Sequence, residues 1–289
     1  MLLESPATSP GGQLYEGAGE GVRVKQYRHS YLEYSEDPFS DGETARDPDL
    51  RPLDTPIWRE TLCGLDWLAL RASPVYYGWG VERGNGEPVV VVPGFLASDV
   101  SLIELHAWLS RIGYRPYFSN VGRNADCPNH IASKLLQTIK QAYDETGQRV
   151  RLIGHSLGGM LSRSLALDFP EYVNLVVSMG SPFQDGARAH PSLVAATDSL
   201  RASDKLGNNI KPSCFSGRCQ CNFGMNMVAP EEYTVAHYAI YSRNDGVVDW
   251  EACREEDPAL NDEVNCTHLG MAFHPGVYRA LAGRLRQAA

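Results

Sequence analysis

Val150-Arg151-Leu152-Ile153-Gly154-His155-Ser156-Leu157-Gly158-Gly159-Met160 is the stretch that decides the fold. Val150, Leu152 and Ile153 read as a short buried strand, and Leu161, Leu165 and Ala166 carry on past the glycines at helical spacing. A strand, a sharp turn with serine at its tip and then a helix is the setting in which Gly-x-Ser-x-Gly carries chemical meaning. The serine backbone is strained at such a turn, and side chains at 154 and 158 would strike the neighbouring strand or helix. Glycine removes both collisions. The turn exposes the hydroxyl and aims the helix N-terminus, with the Leu157 N–H, at the place where an oxyanion would form. A glycine-rich turn with a solvated serine is the bland alternative, and the flanking strand and helix weigh against it.

Alternating β and α patterns extend outward from this stretch. Val89 to Val92 is a continuous β-branched run, as expected of a strand buried on both faces of a parallel sheet. The pattern predicts a helix over 98–112, capped by Ser98 or Asp99, a strand over 115–119, and a helix over 128–145 that stops at Gly147. Downstream it predicts strands over 173–179, 233–241 and 263–266 and a closing helix over 275–286. Short connections and repeated alternation imply an α/β fold with a doubly wound, mostly parallel sheet flanked by helices. Upstream, 57–71 has apolar residues at 58, 62, 65, 68 and 69, which suits an amphipathic helix, and 74–81 reads as an edge strand or hairpin. Residues 1–56 are rich in Gly, Ser, Pro, Asp and Glu and read as an extended arm preceding a single domain over 57–289. Residues 183–232 break the rhythm. About fifty residues, where ~4–6 is typical of a connection, read as a cap inserted over the C-terminal edge of the sheet. A helical piece is predicted there near 191–200.

A serine nucleophile needs a base, and the base needs an orienting group. Of the histidines after Ser156, His237 falls inside a predicted strand, His190 lies in the insertion, and His274 opens the last helix, where capping suits it. His268 sits in a glycine-containing loop just past the last short strand and is the candidate base. The acid should follow the preceding strand, where Asp245 and Asp249 are available. Asp245, directly before Gly246, is placed on the tight turn and is favoured over Asp249. The chain order Ser, Asp, His is one of the known orders of this constellation. A second oxyanion donor is expected from the loop Pro93-Gly94-Phe95-Leu96, with the Phe95 N–H joining that of Leu157. Leu96 and His155 beside these donors, and Phe223 and Met225 in the insertion, are the expected substrate contacts, methionine adapting well to varied acyl chains.

Taken together, residues 75–288 resemble a bacterial lipase or esterase of the α/β-hydrolase superfamily, near the lipases and related deacylases that carry a Gly-His-Ser-x-Gly-Gly elbow. The resemblance rests on Pro93-Gly94-Phe95, on 154–159, on Asp245-Gly246 and on His268. It departs in having Pro93 where many lipases have histidine before the oxyanion glycine. The resemblance implies hydrolysis of carboxylic esters, small-molecule or lipid, with no metal or organic cofactor. Two other classes use the same residues: an acyltransferase passing the acyl group to an alcohol, and a hydrolase-like binding protein without catalysis. The complete Ser156, Asp245 and His268 set argues against the last.

Composition bounds the remaining options. The chain has 289 residues, 43% hydrophobic and 21% charged, enough for one substantial domain. A net charge of −9 argues against nucleic acid or an anionic membrane as the main partner. No apolar run approaches membrane-spanning length, the longest lying around 89–96. The N-terminus has no basic segment or long apolar core of the secretory kind, so as written the chain reads as cytoplasmic, or as a mature form whose leader has been removed. Seven cysteines leave at least one unpaired within a monomer. Cys214, Cys219 and Cys221 lack zinc-ribbon spacing, so no metal is expected there. Cys253 and Cys266 bracket the loop between acid and base and are expected to pair in an oxidising compartment.

Overall fold

Strand β1, Pro88–Val92, is four consecutive valines after a proline, and all five residues are buried. β-Branched side chains favour extended backbone, and successive residues face opposite ways, so a strand apolar at every position needs cover on both faces. The computed structural model describes residues 55–184, 195, 221–228 and 234–287, and it supplies that cover. With β2 (Arg115–Phe118), β3 (Val150–His155), β4 (Val173–Met179), β5 (Ala236–Tyr241) and β6 (Asn261–Glu263), β1 forms a six-stranded sheet in the order β2-β1-β3-β4-β5-β6. Every neighbouring pair runs parallel.

Helices whose bounds fall among the described residues are α1 (Cys63–Ala72), α2 (Ile103–Arg111), α3 (Pro128–Thr146), α4 (Leu157–Asp168), α5 (Asn222–Val228) and α6 (Pro275–Arg286). Val89 and Val91 pack on the face covered by Leu105, Trp108 and Leu109 of α2 and Tyr278, Leu281 and Leu285 of α6. Val90 and Val92 face Ile131, Leu135 and Ile139 of α3 and Leu161 and Leu165 of α4. Each such side chain removed from water contributes roughly 1.5–3 kcal/mol before entropy is counted. Trp108 and Tyr278 meet at 4.7 Å between ring centroids, and the buried Trp108 indole N–H donates to the Val75 carbonyl at 2.8 Å. The large apolar contact there leaves no polar atom stranded.

Sheet order positions the site. From β1 the chain steps outward to β2, then returns to lay β3 on the other side of β1. The connections leaving the C-terminal ends of β1 and β3 therefore diverge, and an open α/β sheet has its crevice at such a switch point.

Several sequence expectations are corrected. The stretch 74–81 is no strand: Pro74–Tyr77 is a 3-10 turn with Pro at its first position, closed by Gly78 at φ 78°. Proline suits the start of a helical turn, where its missing N–H is no loss, and glycine accepts the left-handed closing residue. The helix at 57–71 exists as a 3-10 turn, Ile57–Leu62, running into α1, but its apolar positions point outward. Trp58, Leu62, Leu65 and Leu68 are exposed, while Glu60 and Leu70 are buried. The predicted helix over 98–112 opens as a 3-10 turn, Asp99–Leu102, before α2. The last strand falls at Asn261–Glu263, ahead of the apolar residues at 264 and 266, because backbone pairing with β5 sets it. The expected arm over 1–56 lies outside the described residues except for Thr55 and Pro56. Most of the expected insertion, including its helix near 191–200, lies outside them as well.

Cys253 and Cys266 are separate thiols, against the expected disulfide. Cys253 packs beside Tyr241 and Val248, whereas Cys266 belongs to the core under α6. Burial pushes both thiols up from the ordinary cysteine range, well away from the reactive thiolate form.

Two glycine-to-alanine changes test the close approach at the head of α4. A Cβ at Gly158 would lie 2.3 Å from the Val92 carbonyl oxygen, whereas one at Gly283 in α6 meets nothing within 4 Å. Gly158→Ala is expected to cost about 1–3 kcal/mol, as overpacking does. Gly283→Ala should be neutral or stabilising by up to ~1 kcal/mol on helix propensity. Urea unfolding of the two variants checks the difference.

Candidate active site

Ser156 sits at φ 53° and ψ −123°, outside the regions favoured by residues with a Cβ. Its own N–H donates to the Met179 carbonyl of β4 at 2.8 Å, and Gly159 N–H donates back to the Ser156 carbonyl at 3.0 Å. The turn can be this tight because a Cβ at Gly154 would lie 2.4 Å from the Gly158 carbonyl group, and one at Gly158 would strike the end of β1. Both collisions expected from the sequence are thus located. The adjacent β1 loop also presses in, since a Cβ at Gly94 would lie 3.1 Å from that of Ser156.

His268 and Asp245 arrive from the loops beyond β6 and β5. The Asp245 Oδ2 accepts from His268 Nδ1 at 2.6 Å, and both side chains are almost wholly buried. The contact places the proton of neutral imidazole on Nδ1 and leaves Nε2 as the lone-pair nitrogen. The other carboxylate oxygen accepts from the Val247 and Val248 amides at 2.8 and 2.9 Å, which fixes the carboxylate in a tight turn. Burial disfavours the imidazolium, but the Asp245 charge, its hydrogen bond and the charge of Glu60 outweigh it, and the His268 pKa lies above the ordinary histidine value. Asp249 turns away and accepts from the Glu251 amide at 3.1 Å.

Ser156 and His268 line one cleft of about 490 Å³ together with Phe95, Leu102, His155, Val247, Leu269 and Phe273. Ile57, Glu60 and Cys63 complete its wall from the N-terminal side. The size and mostly apolar lining are those of a small-molecule site.

The remaining expected site residues divide. Phe95 lines the cleft and Leu157 is the first residue of α4, where the helix N-terminus presents amide donors. The Leu96 N–H is donated to the Asn124 carbonyl at 2.7 Å and Leu96 adopts φ 62°, so it shapes the loop without lining the cleft. His155 is a wall residue whose Nε2 donates to the His268 carbonyl at 3.0 Å. Burial, the adjacent His268 and only partial compensation by that hydrogen bond hold its pKa down at about 3, so the ring is neutral. Phe223 and Met225 do not reach the cleft. Phe223 is buried in the core beside α3 and α4, with its N–H facing Asn129 Oδ1 at 3.4 Å, and Met225 is exposed. The short α5 that carries both packs on α3 and α4.

Among the other histidines, His237 is held within β5 between Glu255 and the Ser178 hydroxyl, and His274 Nδ1 accepts from the Gly276 amide at 3.1 Å as a cap of α6. His190 lies outside the described residues. Among the described residues there is no group of three His, Cys, Asp or Glu side chains able to hold a metal ion, and no helix long and apolar enough to cross a membrane.

Two residues at the site escaped the sequence reading. Asn124 is fully buried, its Nδ2 donates to the Pro93 carbonyl at 2.9 Å, and its N–H donates to Ala97 at 2.8 Å, so it pins the loop after β1. Glu60 accepts backbone amides from both the acid and the base loops. The Gly122-Arg123-Asn124 turn was a faint signal for the first; nothing local marked the second.

Residues 87–206 match the family model described as alpha/beta hydrolase fold. The solved structures agree. A metagenomic carboxyl esterase superposes with a TM-score of 0.54 at 14% identity, covering 72% of this chain and 77% of that one. The mature form of a Bacillus licheniformis lipase gives 0.51 at 18% identity, covering 71% and 94%. The parallel sheet, the serine at its switch point and the flanking helices are those of the α/β-hydrolase fold. In sequence the chain is similar to bacterial lipases. It is 32% identical over 201 residues to a triacylglycerol lipase of Burkholderia plantarii, covering 63% of this chain and 54% of that one. It is 34% identical over 175 residues to a triacylglycerol lipase of Pseudarthrobacter phenanthrenivorans, covering 54% and 53%. The chain thus spans about half the length of the curated relatives it matches.

The neutral His155 has a thermodynamic signature. Its folded pKa of about 3 lies below the ordinary 6.5, so between those values the unfolded chain binds a proton the folded protein refuses. Stability is therefore lost as pH falls from 6.5 towards 3, by up to ~1.4 kcal/mol per pH unit from this group. His155→Gln should remove that share of the slope, which urea unfolding of both proteins between pH 7 and 4 measures.

Proposed function

We propose that this protein is a serine carboxylic-ester hydrolase acting on apolar acyl esters through Ser156, His268 and Asp245. The observation that carries the reading is the strained Ser156 turn opening into the same apolar cleft as the buried His268–Asp245 pair. The names of the triacylglycerol lipases it resembles support the same chemistry.

In the proposed cycle His268 Nε2 takes the Ser156 hydroxyl proton as Oγ attacks the ester carbonyl. The carbonyl π electrons move onto oxygen, which the Phe95 and Leu157 amides receive. Collapse breaks the bond to the alcohol, and His268 delivers its proton to that leaving oxygen. Water then repeats the sequence on the acyl-enzyme and frees the acid. Asp245 holds the imidazole in the required tautomer and stabilises its charged form. Hydrolysis and acyl transfer share the first half of this cycle, so products formed with added alcohol separate them.

A panel of p-nitrophenyl esters with two- to sixteen-carbon acyl chains tests the proposal. Ser156→Ala should lower turnover by about 10⁴- to 10⁶-fold with the fold intact by circular dichroism. Asp245→Asn should be far more damaging than Asp249→Asn. Because the base must be neutral and the His268 pKa is raised, the acidic limb of the rate profile should lie above pH 6.5. A folded Ser156→Ala protein with near-normal turnover would refute the assignment.

A further inference from the structure

Glu60 stands in the 3-10 turn Ile57–Leu62, upstream of the stretch 87–206 that matches the family model, and is only 7% exposed. Its Oε1 accepts from the amides of Gly246 at 3.0 Å and His268 at 2.9 Å, and its Oε2 accepts from that of Leu269 at 2.7 Å. A single carboxylate thus fastens the residue after Asp245 to His268 and the residue after it. Gly246 is shaped to this contact, since a Cβ there would lie 2.8 Å from Glu60 Oε1. Neighbouring residues reinforce the junction, with Thr55 Oγ1 donating to the Gly246 carbonyl at 2.7 Å and Arg59 to Asn244 Oδ1 at 3.1 Å. Burying a carboxylate costs several kcal/mol of lost hydration, which charge-assisted hydrogen bonds from backbone amides offset. An apolar residue in the same space would leave these three amides without an acceptor, so the position calls for one, and a carboxylate supplies two oxygens and a charge.

We propose, building on the ester-hydrolase reading, that Glu60 is a positioning residue. It holds the acid and base loops in register and adds a second negative charge behind the His268 imidazole. The charge makes the imidazolium formed during acyl transfer easier to reach. The other titratable groups around that ring are Asp245 on the β5 loop, His155 and Ser156 at the end of β3, Cys266, and Asp66 of α1, whose carboxylate meets Thr267. Of these, Asp245 and Glu60 are the carboxylates whose charges raise the His268 pKa.

Glu60→Gln is the primary test. Its amide oxygen can still accept from Gly246 and His268, but the charge is gone and its NH₂ opposes the Leu269 N–H. For a folded variant the account expects kcat on p-nitrophenyl butyrate to fall roughly 10- to 100-fold with a smaller change in KM. The acidic limb of the rate profile should move to lower pH. A residue that merely packs would not move that limb. The His268 imidazole titration, followed by NMR, should move the same way in the absence of any substrate. If the wild-type protein hydrolyses no ester, the ester-hydrolase reading fails, and the imidazole titration alone still decides the role of Glu60. An unmoved titration in folded Glu60→Gln overturns the proposal. Should that variant not fold, Glu60→Asp keeps the charge but cannot span all three amides. It should lose kcat about 10-fold or more without a downward shift of the limb; wild-type kcat there overturns the proposal equally.

Discussion

Everything at the site depends on the backbone of Ser156 being held where a residue with a Cβ is reluctant to go. A left-handed residue at the end of a buried strand costs of order 1–3 kcal/mol and persists only where its surroundings over-determine it. Here they do. The Ser156 N–H is fixed to Met179 on one side, Gly94 presses from the β1 loop on the other, and α4 packs so close that a Cβ at Gly158 would strike the Val92 carbonyl. These contacts come from three adjacent strands, so the turn exists only because β1, β3 and β4 lie side by side. Burial of the valine-rich strands between two helical layers maintains the strain, and the strain presents the hydroxyl.

The partners of Ser156 illustrate how much of a site can be read from one chain. Strand runs, the serine turn and the order of Asp245 and His268 follow local rules, namely period, turn residues and position after a strand. Asp245 was separable from Asp249 because an aspartate directly before glycine suits a tight turn, and the structure gives Asp245 two amides of that turn besides His268. Glu60 follows no local rule. It lies 208 residues from His268 in sequence, and its helix displays an apolar stripe that points away from the body. A periodicity argument takes an apolar face to be the buried one, and here the buried positions include a carboxylate whose partners are backbone amides. Phe223 and Met225 were proposed on composition alone, which suggested an acyl pocket, and the structure places their helix α5 against α3 and α4.

The N-terminal stretch acquires a different meaning from this. Residues 55–66, upstream of the stretch 87–206 that matches the family model, reach the loops of both the candidate acid and the candidate base and form a wall of the cleft. His155 works from the opposite side, bonding the His268 carbonyl while remaining uncharged. The His268 backbone is therefore held at its amide by Glu60 and at its carbonyl by His155. With Asp245 fixing the ring, the proposed base is constrained at three atoms, the kind of preorganisation that would let a proton move without first moving the protein.

The central claim is that Ser156 is activated by His268 at the strained turn. The most direct measurement is covalent labelling of the intact protein with a fluorophosphonate, followed by peptide mapping of the adduct. The account predicts one phosphonyl group per chain, on Ser156, and its loss in a folded His268→Ala variant. An unlabelled wild-type protein, or an adduct on another residue that survives loss of His268, would contradict it.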